Sequence, residues 1–174
     1  MTLAAIVLAA GQGTRMKSNL PKVLHPLGGR PLVLYSVETA LALSDWPPVV
    51  VVGVGADEVR QAIGDRAEFV TQAEQLGTGH AVRQAEATLK GKADRVLVFY
   101  ADMPLLRAET LRAVADTQSH NSGPLTVLTA LGDDARGFGR VLRDEAGHVA
   151  GIVEEEQATP AQLALRELNV GAYC

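Results

Sequence analysis

Cysteine is nearly absent: Cys174 is the single one in 174 residues, so no internal disulfide can form. No apolar stretch is long enough to cross a bilayer and no charged-then-apolar leader opens the chain, which predicts a cytoplasmic protein without membrane contact. Repeats, low-complexity tracts and charged tails are also missing. With 47% hydrophobic and 21% charged residues, the expectation is one globular domain over residues 1–174. A net charge of −4 lacks the broad cationic excess that general nucleic-acid binding requires.

The most informative absence is local. Glu38 is the first acidic residue, and Arg15, Lys17, Lys22 and Arg30 all precede it, which leaves 12 Lys and Arg against 20 Asp and Glu in the remainder. An acid-free basic segment points to an anionic ligand, although Lys17 and Arg30 taken singly read as solvated charges.

Apolar, β-branched runs at Leu3–Leu8, Val49–Val54, Val96–Tyr100 and Leu125–Ala130 predict strands covered on both faces. Helical patterns lie between them at Pro31–Leu43, Asp57–Ile63, Gly79–Leu89 and Arg107–Gln118. The alternation predicts an α/β fold, a Rossmann-like, mostly parallel sheet flanked by helices. Phe69–Thr71 reads as a short extra strand. Gly139–Leu142 and Val149–Val153 read as a hairpin around Asp144–Gly147, followed by a short helix from Pro160 and a strand at Leu168–Tyr173. A chain ending at Cys174 on an apolar strand, with no polar tail, predicts a fragment of a longer protein, incomplete at the C-terminus.

The segment LAAGQGTRMKSNLPKVLH, Leu8 to His25, follows the first strand directly. It fails the dinucleotide fingerprint, because Met16 stands where the third glycine belongs and no acidic residue closes the next strand near Val54 to take a ribose hydroxyl. It fails the P-loop pattern as well, since Met16 replaces the glycine before Lys17-Ser18. What remains is a GxGTRM loop and a downstream Pro21-Lys22. Glycines at 11 and 13 let backbone N–H groups converge on phosphate, Arg15 offers a planar fork and Lys22 a mobile point charge. The competing reading is a glycine-rich turn carrying solvated charges.

Three further places carry chemistry. In QAEQLGTGHA, Gln72–Ala81, the Gln72 amide can accept and donate side by side, as pairwise recognition of a base edge such as that of uracil or cytosine requires, or it can simply cap the following helix. An amide that can flip does not by itself separate uracil from cytosine, so backbone groups around Ala9, Ala10 and Gly77 would have to break the symmetry. Thr78 adds a hydroxyl, and His80 reads as structural. In VLVFYADMP, Asp102 stands just past the carboxyl end of a strand, where open α/β sheets place ligands; it suits a hard Mg2+ ion or, alternatively, a helix N-cap. Glu154-Glu-Glu156 reads by itself as a solvated charge run that Arg140 could pair with on the surface.

LAAGxGTRM with a downstream Pro-Lys resembles the sugar-nucleotide transferases. The longer LAAGQGTRMKSNLPKVLHPLGGRP, with QAEQLGTGHA, resembles the uridyltransferase domain of the bacterial bifunctional N-acetylglucosamine-1-phosphate uridyltransferases and glucosamine-1-phosphate acetyltransferases, over Leu3 to Tyr173. The resemblance implies uridylyl transfer from UTP to N-acetylglucosamine 1-phosphate, giving UDP-N-acetylglucosamine for cell-wall precursors, with Mg2+ as cofactor. It implies Arg15 and Lys22 as catalytic residues and Asp102 as metal ligand. Leu8, Ala9, Ala10, Gly11, Gly13, Lys22, Gln72, Gly77, Thr78, Tyr100, Ala101 and Asp102 would line the nucleotide, and Gly139, Glu154 and Asn169 the hexosamine.

The family segment usually reads Tyr-Gly-Asp, so Ala101 is a departure that adds a methyl near the sugar nucleotide. The family also carries a second metal ligand, an Asn beyond position 174, and a C-terminal left-handed β-helix that acetylates and trimerises; neither falls in residues 1–174. Asp-Met-Pro also occurs in molybdopterin-type nucleotidyltransferases. Cytidylyl transfer to a polyol phosphate, transfer to molybdopterin and a non-catalytic nucleotide-binding module are therefore the alternatives.

Overall fold

The computed structural model describes residues 1–174 other than Gln12, Thr14 and Arg15. Four parallel strands form one half of the main sheet: β1 (Leu3–Ala9), β4 (Val49–Val52), β5 (Glu68–Thr71) and β6 (Arg95–Tyr100), in the order β5-β4-β1-β6. They are joined through α1 (Leu32–Leu41), α2 (Ala56–Ile63), α3 (Thr78–Arg83) and α4 (Glu86–Leu89). The short strands β2 (Pro26–Leu27) and β3 (Arg30–Pro31) pair with each other before α1. Beyond β6 the sheet turns antiparallel. There β10 (Glu167–Tyr173) pairs with β6, β7 (Val127–Leu131) and β8 (Gly139–Arg143), and β9 (Val149–Val153) closes the edge. α5 (Ala108–His120) follows β6, and α6 (Pro160–Leu163) precedes β10.

Strand alternation sorts the core into two layers. Ala5, Val7, Val50, Val52, Leu97 and Phe99 pack with Val33, Val37, Val59 and Leu111 of α1, α2 and α5. Ala4, Ile6, Leu8, Val49, Val51 and Val98 pack with Ala81 of α3, Leu89 of α4 and Ala85 between the two helices. The continuous apolar strands therefore have a direct cause: each face of β1, β4 and β6 meets helices. Burying one such Val or Leu contributes about 1.5–3 kcal/mol, and this drives the layering.

The expected helix over Gly79–Leu89 divides in two. Gln84 donates its side-chain Nε2 to the His80 carbonyl, 3.1 Å away, while its backbone N–H bonds to Ala81 O and that of Ala85 to Val82 O. The tighter i→i−3 bonds interrupt the α-helical ladder there.

Two features shape the ligand end of the sheet. β1 is flanked by β4 on one side and β6 on the other, so the chain reverses its direction of travel at the carboxyl ends of these strands and leaves a crevice. A bulge at Val170-Gly171 splits β10, whose first half pairs with β8 and whose last residues pair with β6. Among the described residues, no helix is long and apolar enough to cross a membrane.

Candidate active site

Two clefts open at the carboxyl ends of β1 and β6. The first, of about 340 Å³, runs along Leu8, Ala9, Ala10, Gly11 and Gly13 to Gln72, Gly77 and Thr78. The second, of about 570 Å³, is bounded by Gly139, Glu154, Asn169 and Gly171. Lys22, Tyr100 and Asp102 line both and form their common wall.

On that wall the Lys22 ammonium lies 2.5 Å from an Asp102 carboxylate oxygen. Their side chains are 42% and 27% exposed, so the pair adds little to stability; its place at the junction of the clefts is the notable fact. Lys22 begins a 3-10 turn, Lys22–Leu24, anchored by buried Val23 and Leu24. Gly13 presses against it. With φ at +62°, a Cβ on Gly13 would stand 2.4 Å from Lys22 Cβ, so only glycine lets the loop approach the lysine stem. Gly11 has open space around an added Cβ, so among the described residues no contact demands glycine there.

Tyr100 closes the wall. Its hydroxyl is 2.9 Å from Thr78 Oγ1, and its ring lies against Gly171, where a Cβ would come within 2.2 Å of Cε2 at φ +79°. Asn169 holds the bulge, accepting from Gly171 N at 3.1 Å and from the Tyr173 hydroxyl at 3.0 Å. Burial raises the Tyr173 phenol above its ordinary value, outweighing the opposing hydrogen bond from Asn169, and so keeps the hydroxyl protonated. The Glu154 carboxylate stands over Gly139, whose Cβ would meet both its oxygens at 3.3 Å.

Gln72 is 3% exposed. Its Nε2 donates to Gly77 O at 3.1 Å and lies 3.1 Å from His80 Nδ1, so it satisfies a carbonyl rather than capping the N-terminus of α3. Asp102 is not an N-cap either, because the helix after it begins at Ala108 behind Arg107.

Two expectations are corrected. Ala101 was expected at the ligand, but it is fully buried and lines neither cleft. Alternation along β6 turns Tyr100 to the α3 side and sends the Ala101 methyl into the opposite core layer, where Ser36 Oγ donates to Ala101 O at 3.1 Å. The Ala-for-Gly departure therefore adds its methyl to the core. Arg140 was expected to pair on the surface, yet it is buried and donates to the Phe138 carbonyl. Its Cβ points away from the cleft that Gly139 lines.

Of the early cations, Arg30 stacks 4.9 Å over Tyr35 and pairs with Glu38, which holds that carboxyl below its ordinary range. Arg15 lies outside the described residues. Reasoning from motifs missed Glu155, which accepts from Gly137 N at 2.6 Å and ties down the loop before β8, and missed Met103 and Val170 in the second cleft. None of the three had a signal in the sequence beyond its neighbours. Among the described residues no group of three His, Cys, Asp or Glu converges as a metal cage.

Residues 5–164 match the MobA-like NTP transferase domain family. The chain belongs to that family. Its domain type is a nucleotidyltransferase's. It is 48% identical over 98% of its length to the bifunctional protein GlmU of Heliobacterium modesticaldum, 49% over 97% to that of Exiguobacterium sp., and 48% over 99% to that of Geobacter metallireducens. It spans 37–38% of the length of those relatives. In fold it is similar to CMP:2-keto-3-deoxy-manno-octonic acid synthetase complexed with CTP, with TM-score 0.72 and 19% identity over 99% of this chain and 73% of that one. HddC from Yersinia pseudotuberculosis gives TM-score 0.70 and 22% identity over 99% and 76%. These neighbours support the α/β, Rossmann-like reading of the sheet.

Proposed function

We propose that the domain transfers the uridylyl group of UTP to N-acetylglucosamine 1-phosphate, releasing pyrophosphate and UDP-N-acetylglucosamine. The observation that carries this reading is the pair of clefts meeting at Lys22 and Asp102: donor and acceptor must lie on either side of one phosphorus, and the charged pair stands at that junction. The relatives called bifunctional protein GlmU support the substrate choice.

The nucleotide occupies the first cleft, its base at Gln72 and its phosphates along the glycine loop. The sugar phosphate occupies the second, with Glu154 and Asn169 towards the hexosamine and Gly139 allowing close backbone contact. A phosphate monoester is already largely dianionic at neutral pH, its second pKa being about 6, so the nucleophile needs no side-chain base. Catalysis then rests on alignment and charge neutralisation, with Lys22 on the reacting phosphates and Arg15 assigned to the leaving pyrophosphate.

Asp102 offers an oxygen donor of the kind Mg2+ prefers, and Mg2+ commonly takes one or two protein carboxylates alongside phosphate oxygens and water, so the residues present fit the ion. When bound, it supplies Lewis-acid neutralisation of phosphate charge. Lys22 holds the carboxylate at the common wall.

Pyrophosphate release measured against a panel of nucleoside triphosphates and acceptors tests the reading. Preference for UTP with N-acetylglucosamine 1-phosphate is expected. Preference for CTP, or for a polyol phosphate or molybdopterin acceptor, would replace it with one of those transfers, and nucleotide binding without any product would leave a binding module.

A further inference from the structure

A glutamine reads uracil and cytosine with equal ease unless something decides which end of its amide faces the base. Uracil presents N3–H as a donor, whereas cytosine presents N3 as an acceptor. The two bases therefore require opposite amide ends at the same point.

At Gln72 both hydrogens of Nε2 have partners on the protein. One goes to the Gly77 carbonyl at 3.1 Å, an acceptor in every protonation state, and this decides which amide atom faces that side. The other points at His80 Nδ1, also 3.1 Å away. Oε1 has no hydrogen bond among the described residues, and the side chain lines the first cleft. His80 sits in the first turn of α3, and its backbone carbonyl is held by the Gln84 amide.

The imidazole can accept at one nitrogen only when neutral, and two amides compete for it, since Gln84 Nε2 lies 3.1 Å from His80 Nε2. Gln84 has a second acceptor in the His80 carbonyl, whereas the second Gln72 hydrogen has, among the described residues, none besides Nδ1. Gln72 is also the more deeply buried, so the tautomer with Nδ1 bare satisfies the costlier group. Nε2–H then meets Gln84, whose partly exposed amide accepts by turning about its last bond.

We propose that His80 is a positioning residue for base selection: it takes the second amide hydrogen of Gln72, fixes the amide plane and leaves only the acceptor oxygen facing the nucleobase. This rests on the uridylyl reading above. His80 touches no substrate and acts through Gln72.

The test compares affinities of UTP and CTP by calorimetry for the wild-type chain and for His80→Leu, His80→Asn and His80→Gln, with thermal unfolding alongside. Asn places Oδ1 where Nδ1 stands and can accept the same hydrogen; Gln places its polar end further out. Wild type and His80→Asn should keep the preference for UTP, and His80→Leu and His80→Gln should lose about tenfold of it, the effect of one unmade buried hydrogen bond. If wild type prefers UTP and His80→Gln discriminates as well as His80→Asn, the inference fails while the uridylyl reading stands. If wild type itself shows no preference for UTP, both fail. His80→Asn and His80→Gln, both polar, carry the comparison should His80→Leu not fold.

Discussion

Lys22 and Asp102, far apart in sequence, meet with nitrogen and oxygen 2.5 Å apart on the wall that two clefts share. Partly exposed ion pairs are worth about 0–1 kcal/mol, so this one is poorly suited to holding the fold and well suited to exchanging its partner for phosphate. Lys22→Ala should therefore lower turnover about 10²–10³-fold with unfolding free energy changed by less than about 1 kcal/mol. Steady-state kinetics beside urea denaturation would decide it; equal turnover, or collapse of the fold, would contradict the assignment.

Asp102→Asn removes the charge that draws a divalent cation while keeping the shape. The magnesium concentration for half-maximal rate should rise at least about tenfold. An unchanged magnesium titration would take Asp102 out of the metal site.

Gly13→Ala introduces both a φ of +62° for a β-carbon residue and a contact 2.4 Å from Lys22 Cβ. The strain is about 1–3 kcal/mol, and moving the loop or the lysine relieves part of it. Calorimetry should show weaker triphosphate binding by about tenfold or more, whereas Gly11→Ala, which meets nothing among the described residues, reports on a clash with the ligand itself.

Gly171→Ala drives a methyl into the Tyr100 ring, 2.2 Å from Cε2, and separates the tyrosine hydroxyl from Thr78. Because Tyr100 lines both clefts, affinities for nucleotide and for sugar phosphate should fall together. Glu154→Ala should instead raise the acceptor KM and leave nucleotide affinity intact.

Glu167 pairs with Arg143 through two contacts of 2.6 and 2.7 Å, tying β10 to β8. The hydrogen bond from Arg143 lowers the Glu167 carboxyl below its ordinary value. A carboxyl depressed in the folded state contributes stability that is fully present above its unfolded pKa and lost as pH falls through the folded one. Glu167→Gln should therefore lower stability at neutral pH and flatten the acid limb of a stability-against-pH curve. An acid limb parallel to wild type would show that the pair contributes nothing.

The elements were legible because their causes are short-range. Continuous valines at 49–52 have to be buried on both faces wherever they pair, and the acid-free stretch before Glu38 suggests an anionic ligand without any knowledge of contacts. Lys22 and Asp102 were candidates for the same reason, standing next to a glycine loop and a strand end that the chain itself spells out, whereas Glu154, by itself a charge run, was a candidate only through the family resemblance. Tertiary structure alone decided their partners. The register of β6 against β1 turned Tyr100 to the cleft and Ala101 to the core, the side of β8 that faces inward buried Arg140, and the fold of the loop after β5 brought His80 and Gly77 onto one amide. Such pairings depend on side chains that approach only after strands align, and no local periodicity encodes that distance.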